Sequence, residues 1–322
     1  MIRSIQISLA AFVAVLAHAE PLDRKQVASD ARWLAHLDMK ALQETKIGKF
    51  LVHSFEEEFG GSRSGVSFDV EGLLGELHSL TAYGAELGLA SDGACVLVAR
   101  TGDKVRPMID AYIASQEMEK DGKTGFKKLE GKNFLTYLVG NEVYLAFPSD
   151  GLVMASRSFE QVERALSVVD GSLENLENSD SDLILTDVDG YFFMATANGI
   201  DAIDGVPPQA KMLQKAKGGQ IALGEQDSNL VSSIRLLTEG PEVSGHLASI
   251  AKGLVALASF TEVGGERLDR LMNSVDVSSS GDQVSISLDY PAEEIIRLIS
   301  VITDDGSEKS EGEDAKANAG RE

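Results

Sequence analysis

Few residues in this chain could carry chemistry. Beyond position 19 there are four histidines, His36, His53, His78 and His246. None stands in HxH, HExxH or HxxxH spacing, so the local sequence holds no zincin-like ligand set. His36 and Asp38 lie two residues apart and share a face if their segment is a strand. His78 opens a second segment of strand character. His36, Asp38 and His78 are therefore the catalytic candidates, a cluster that could serve a hydrolase. The plainer expectation makes both histidines ordinary strand residues on a partly wetted face. His246 sits early on a helix beside Leu247, Ile250 and Leu254, and reads as an edge-of-core side chain.

Other nucleophiles lack their settings. No GxSxG or SxxK occurs in a strand-turn-helix context, and no Walker A or GxGxxG motif is present. The single cysteine, Cys95, lies in the apolar run Ala94 to Val98 and reads as a small buried hydrophobe; without a second cysteine there is no intrachain disulfide. Carboxylates are abundant, 51 in all. Asp187 and Asp189, and the run Glu56 to Glu58, could hold a hard divalent cation such as Ca²⁺. Asp187-Val188-Asp189-Gly190 lacks the remaining spacing of an EF-hand, so Asp187 and Asp189 stand as metal candidates only. No organic cofactor is expected. Two carboxylates for glycoside hydrolysis could be drawn from so many, but no aromatic platform for a sugar accompanies them, and Trp33 is the only tryptophan.

The N-terminus sets the compartment. Arg3 precedes an apolar run from Ile5 to Leu16, and Ala17-His18-Ala19 has the small-x-small form of a cleavage site before Glu20. The apolar run is about a dozen residues, short of the roughly 20 a membrane-spanning helix needs. Residues 1–19 thus read as a signal peptide, and the mature protein as secreted or periplasmic, with no transmembrane segment. The formal net charge is −22, and removing residues 1–19 takes away one base and no acid. Such a surface repels nucleic acid and anionic headgroups, which excludes nucleic acid as a partner.

These residues must be positioned by an α+β framework. Ala31 to Asp38 alternates as a strand, followed by a helix over 39–58 and a glycine- and serine-rich loop at 60–65. Leu77 to Leu89 and Ala94 to Arg100 read as strands joined at Ser91-Asp92-Gly93, with a helix over 104–118. Hairpins follow around Gly140-Asn141 and, later, Ser280-Gly281-Asp282. Leu152 to Ser156 is a strand, and Ser158 starts a helix with a near capping box. Several features recur: Gly102, Val105 and Ile109 return as Gly240, Val243 and Leu247 at a constant offset, and the hairpin 134–147 returns at 275–288. The chain therefore divides into a signal peptide (1–19), a first α+β repeat (29–170), an acidic connection (171–189), a second repeat (190–302) and a disordered acidic tail (303–322). The two similar β-α-β-β-α-β-β halves carry antiparallel sheets covered by helices, and the second lacks a counterpart of strand 152–156. Pro291 opens the last helix. The two sheets could join edge to edge, which would remove an exposed edge from each.

The stretch GLVMASRSFEQVERALSVVDG, residues 151–171, and the opening ARWLAHLDMKALQETKIGKF resemble uncharacterised secreted bacterial proteins of the domain-of-unknown-function type. The resemblance implies export and a duplicated α+β architecture, and carries no activity or site residue. Three function classes follow. The leading one is an exported, non-enzymatic envelope or periplasmic binding or scaffold protein whose partner is another protein or a small ligand. The alternatives are a cation-dependent binding protein using the acidic surface, and a hydrolase using His36, Asp38 and His78.

Overall fold

The computed structural model describes residues 20–59, 70–87, 95–119, 125–130, 133–185, 190–202, 214–263 and 265–301. The expected signal peptide, glycine-rich loop, Asp-Gly turn at 91–93 and acidic tail lie outside these residues. The fold is α+β, with helices packed on a twelve-stranded, wholly antiparallel sheet.

In the first half β1 (Trp33–Asp38) ends where the Asp38 carboxylate caps the short helix α1 (Met39–Glu44), accepting the Ala41 N–H at 2.9 Å. Helices α2 (Lys46–Phe59) and α3 (Val70–Glu76) precede β2 (Leu77–Gly84) and β3 (Cys95–Thr101). Helix α4 (Val105–Glu119) follows, then β4 (Phe126–Lys128), β5 (Leu135–Val139), β6 (Val143–Ser149), β7 (Leu152–Ser156) and α5 (Phe159–Val169). In the second half β8 (Tyr191–Asn198), β9 (Ala216–Gln226) and β10 (Asn229–Thr238) lead into α6 (Pro241–Ala258). A two-stranded ribbon, β11 (Glu262–Val263) and β12 (Glu266–Arg267), precedes α7 (Asp269–Asn273), β13 (Val275–Ser280) and β14 (Gln283–Pro291). A last helix, α8, covers 292–301. The three-residue β5–β6 connection turns at Gly140 and Asn141, both at positive φ (61° and 62°), the left-handed region that Gly and Asn enter most readily.

Across the sheet the strands run β13-β14-β10-β9-β8-β1-β2-β3-β7-β6-β5-β4. The opening strands β1 and β8 pair at the centre, Ala35 opposite Ala195, so the two halves form one sheet. By place in the sheet, β14 beside β10 corresponds to β7 beside β3, and each leads directly into a helix. The second half therefore lacks counterparts of β4 and β5, not of β7, and Pro291 ends β14 before the helix begins at 292.

Strand register gives the sheet two distinct faces. One row of directly opposed residues runs Tyr137, Leu145, Ala155, Leu97, Ala82, Ala35, Ala195, Ile221, Ile234, Ile286, Val277. Every member is apolar or aromatic. At one end of this face α4 approaches, the Tyr137 hydroxyl meeting Asp110 at 3.3 Å. At the other end Leu247 and Ala248 of α6 pack on Val277 and Val284. Near the middle α1 lays Met39 and Leu42 against Leu37, Phe193 and Leu223.

The opposite face is divided. Around Leu34, Tyr83, Val96, Val98 and Met154 it is sealed by Val162, Ala165 and Val168 of α5. Beyond β1 the row becomes Thr196, Gln220, Arg235, Ser285 and Ser278. The segment expected to be an acidic connection adds to the sealed part: Leu176 and Leu183 are buried in the same cluster, and the Leu176 N–H donates to the Val27 carbonyl.

Candidate functional site at the His36 cluster

The cluster lies where β1, β2 and β3 meet the start of the described chain. His36 is opposite Thr81 in the β1–β2 register, and its ring is buried, not on a wetted face as expected. Trp33, Ala35 and Leu37, on the other face of the strand, are the less buried set. A carbonyl can only accept, so His36 Nε2 donates to the Glu20 carbonyl at 3.0 Å. Nδ1 then accepts from the Thr81 hydroxyl at 2.9 Å. Burial lowers the His36 pKa below its ordinary value, opposed by the bond to the Glu20 carbonyl and by the charges of Asp38 and Glu20.

Asp38 is 3% exposed. Its Oδ1 caps α1, and its Oδ2 accepts the Glu20 backbone N–H at 2.7 Å. His78 stands at a register shift in the β2–β3 pairing, its Nδ1 3.9 Å from Glu20 Oε1. Burial lowers its pKa too, helped by Lys40. Lys40 Nζ lies 3.6 Å from Glu20 Oε1, and Arg100 Nε 3.8 Å from Glu20 Oε2.

The structure thus brings His36, Asp38 and His78 together, but around Glu20. Both nitrogens of His36 and both oxygens of Asp38 are engaged by the protein itself. The Thr81 hydroxyl donates to His36 as a nucleophile would to a base, but His36 and Thr81 are only 6 and 4% exposed, which leaves that hydroxyl no opening toward a substrate. Glu20, Lys40, Thr81 and Arg100 escaped the sequence reading because only strand register assembles them. The Thr81 pairing could be found only by aligning β1 with β2.

The other candidates fall into two groups, those outside the described residues and those on the surface. Asp187 and Asp189 lie outside the described residues, as do the side chains of Glu56, Glu57 and Glu58. Among the described residues no group of three or more His, Cys, Asp or Glu could hold a metal ion. Cys95 is exposed, not buried: it is the first residue of β3 and shares its face with Leu97. His246 is exposed at the rim of an open pocket of about 440 Å³, also lined by Asp201, Lys217 and Glu239.

A second feature is a surface rather than a cluster. On α6 the residues Ser244, Leu247 and Ala248 face the sheet. Flanking that face, Ile250, Leu254, Leu257 and, just past the helix, Phe260 are exposed by 37, 59, 68 and 77%. Their spacing keeps them on one stripe. From Val243 to Thr261 there is no acidic residue, in a chain with 51.

No family model matches the chain, and no curated protein matches it. Its fold is similar to that of TP0453. Crystal form III of that protein superposes with a TM-score of 0.54 at 10% identity, covering 87% of this chain and 98% of that one. Crystal forms I and IV give 0.50 at 10% identity, covering 88% and 89% of this chain and 98% and 99% of theirs. At this identity the likeness is one of architecture. Among the described residues no helix is long and apolar enough to cross a membrane.

Proposed function

We propose that this is an exported, non-enzymatic binding or scaffold protein of the envelope or periplasm, built from two similar halves. Its partner is another protein, engaged through the exposed apolar stripe of α6. The observation that carries the reading is the exposure of Leu254, Leu257 and Phe260 together on an acid-free stretch of an otherwise acidic chain. Contiguous exposed apolar residues are uncommon on proteins that work alone and mark surfaces that another molecule covers. The missing acids matter as well: a partner can desolvate this stretch without burying an unpaired carboxylate. The burial of His36, Thr81 and Asp38 and their engagement by one another's strands and by backbone groups support a structural role for that cluster over the hydrolase reading.

The test is site-specific photo-crosslinking in the envelope of the producing cell. A photoreactive residue at Leu257 is expected to trap one defined protein, and Leu254→Asp to abolish that adduct. The same probe at Ser278, on the polar sheet face, serves as the control. Adducts of equal yield at both positions, or adducts only between copies of this chain, would overturn the reading.

A further inference from the structure

Glu20 is the residue that cleavage after Ala19 would leave at the N-terminus, and it is the residue on which the buried polar cluster converges. Its backbone nitrogen lies 2.7 Å from Asp38 Oδ2, and its carbonyl accepts from His36. The Asp38 carboxylate is almost fully removed from water, and its other oxygen is taken by the cap of α1. Among the described residues its hydrogen-bond donors are the N–H groups of Ala41 and Glu20, both neutral in an unprocessed chain.

We infer that Asp38 is the built-in receptor for a new α-ammonium at Glu20, so that removal of the leader completes a buried ion pair at the centre of the sheet. The inference rests on the proposed export. Hydrolysis adds water across the Ala19–Glu20 peptide bond. Ala19 leaves as a carboxylate, and the Glu20 nitrogen becomes an amine that takes up a proton. The nitrogen need not move. Where one neutral N–H faced Asp38, a positive charge with three donors now does, and a charge-assisted bond in a water-poor site is the stronger one. The surroundings fit a nitrogen anchored at this point. The Glu20 side chain is held by Lys40 from α1, His78 from β2 and Arg100 from β3, and Arg100 also reaches Asp23 at 3.5 Å.

The sign of the pH effect follows. An α-amino group ordinarily titrates near about 7.7–8.0, and a facing carboxylate favours its charged form. The stabilisation is therefore full below the unfolded value and is lost as pH rises through the raised folded value. His36, His78, Lys40, Arg100, Asp23, Asp38 and the Glu20 carboxylate surround the group in both N-terminal forms, and the charge on the nitrogen is what the comparison changes.

The experiment compares residues 20–322 carrying a free Glu20 amine with the same chain N-acetylated at Glu20, which keeps an N–H donor and removes the charge. The free form is expected to have the higher urea midpoint at pH 7. The gain is roughly tenfold in the folding equilibrium per unit by which the pair raises the amine pKa. The gap should close between pH 8 and pH 10 and be absent when both forms carry Asp38→Asn. Equal midpoints throughout, or a gap that persists in Asp38→Asn, overturn the ion pair. If Asp38→Asn does not fold, a ¹⁵N titration of the amine in the unmutated chain decides: a midpoint above that of a peptide of residues 20–30 supports the pair, and an equal one overturns it. Intact mass of the exported full chain tests processing separately. A start at Glu20 supports it, and any other start removes the processing step while leaving the ion-pair comparison to be judged on its own.

Discussion

A histidine with both ring nitrogens committed behaves as a structural amide would, and His36 is in that position. Its neutral form bridges the Thr81 hydroxyl and the Glu20 carbonyl, so protonation would turn the acceptor at Nδ1 into a second donor facing a hydroxyl. Its folded pKa is lowered from an unfolded value near about 6.5. As pH falls below that value the unfolded chain takes up a proton that the folded chain declines, and stability falls with it. His36→Phe, close in shape, should flatten this slope between pH 7.5 and 5.5 in urea unfolding, leaving the part due to His78. At pH 7.5 the same variant should lose roughly 1–3 kcal/mol, because Thr81 and the Glu20 carbonyl are left without a buried partner. The alternation through Trp33 to Asp38 was legible in the sequence. The sense of the alternation was not, because β1 is a central strand flanked on both faces, and period two does not say which face is the drier.

At the scale of elements, α6 separates two kinds of apolar residue that look alike in sequence. Leu247 packs on Val277 and Val284, whereas Leu257 projects outward from the same helix. Leu247→Ala should destabilise by about 2–5 kcal/mol. Leu257→Asp should stay within about 0.5 kcal/mol of the unmutated chain, as a surface change does. Urea midpoints of the two variants check both. Most elements were readable from turn chemistry, the hairpins at Gly140-Asn141 and Gly281-Asp282 above all. Three details were not. Ser158 precedes α5 without a side-chain cap. β4 is three residues with two lysines, too short and too charged to announce itself, as edge strands often are. Pro291 lies at the very end of β14, where its missing N–H is tolerated, and so mimics a helix start.

The whole molecule depends on the β1–β8 seam, which pairs residues some 160 positions apart in sequence, Ala35 with Ala195. The α+β class was legible from the order of strand and helix signals. The seam was not, since nothing in a strand's own residues names its far neighbour. A chain ending at residue 185 would leave the whole β8-facing side of β1 unpaired. Residues 20–185 alone should therefore dimerise or aggregate where the full chain does not, as light scattering across a concentration series would reveal. Pairing across such separations also closes late, so refolding of the full chain should be slower than that of a helical protein of its size.

The long sheet has a geometric corollary. Helices α5 and α6 pack on opposite faces, α5 against β7 and α6 against β14, and these two strands are separated by six others. Neighbouring strands rotate by about 20° each, so the surface normal turns by about 140° on the way from β7 to β14. Such a twist would carry two helices assigned to opposite sides of a flat sheet round toward a common side of a propeller. A partner docked on the exposed apolar stripe of α6 would look toward the same quadrant as the back of α5, although no strand carries both on one face.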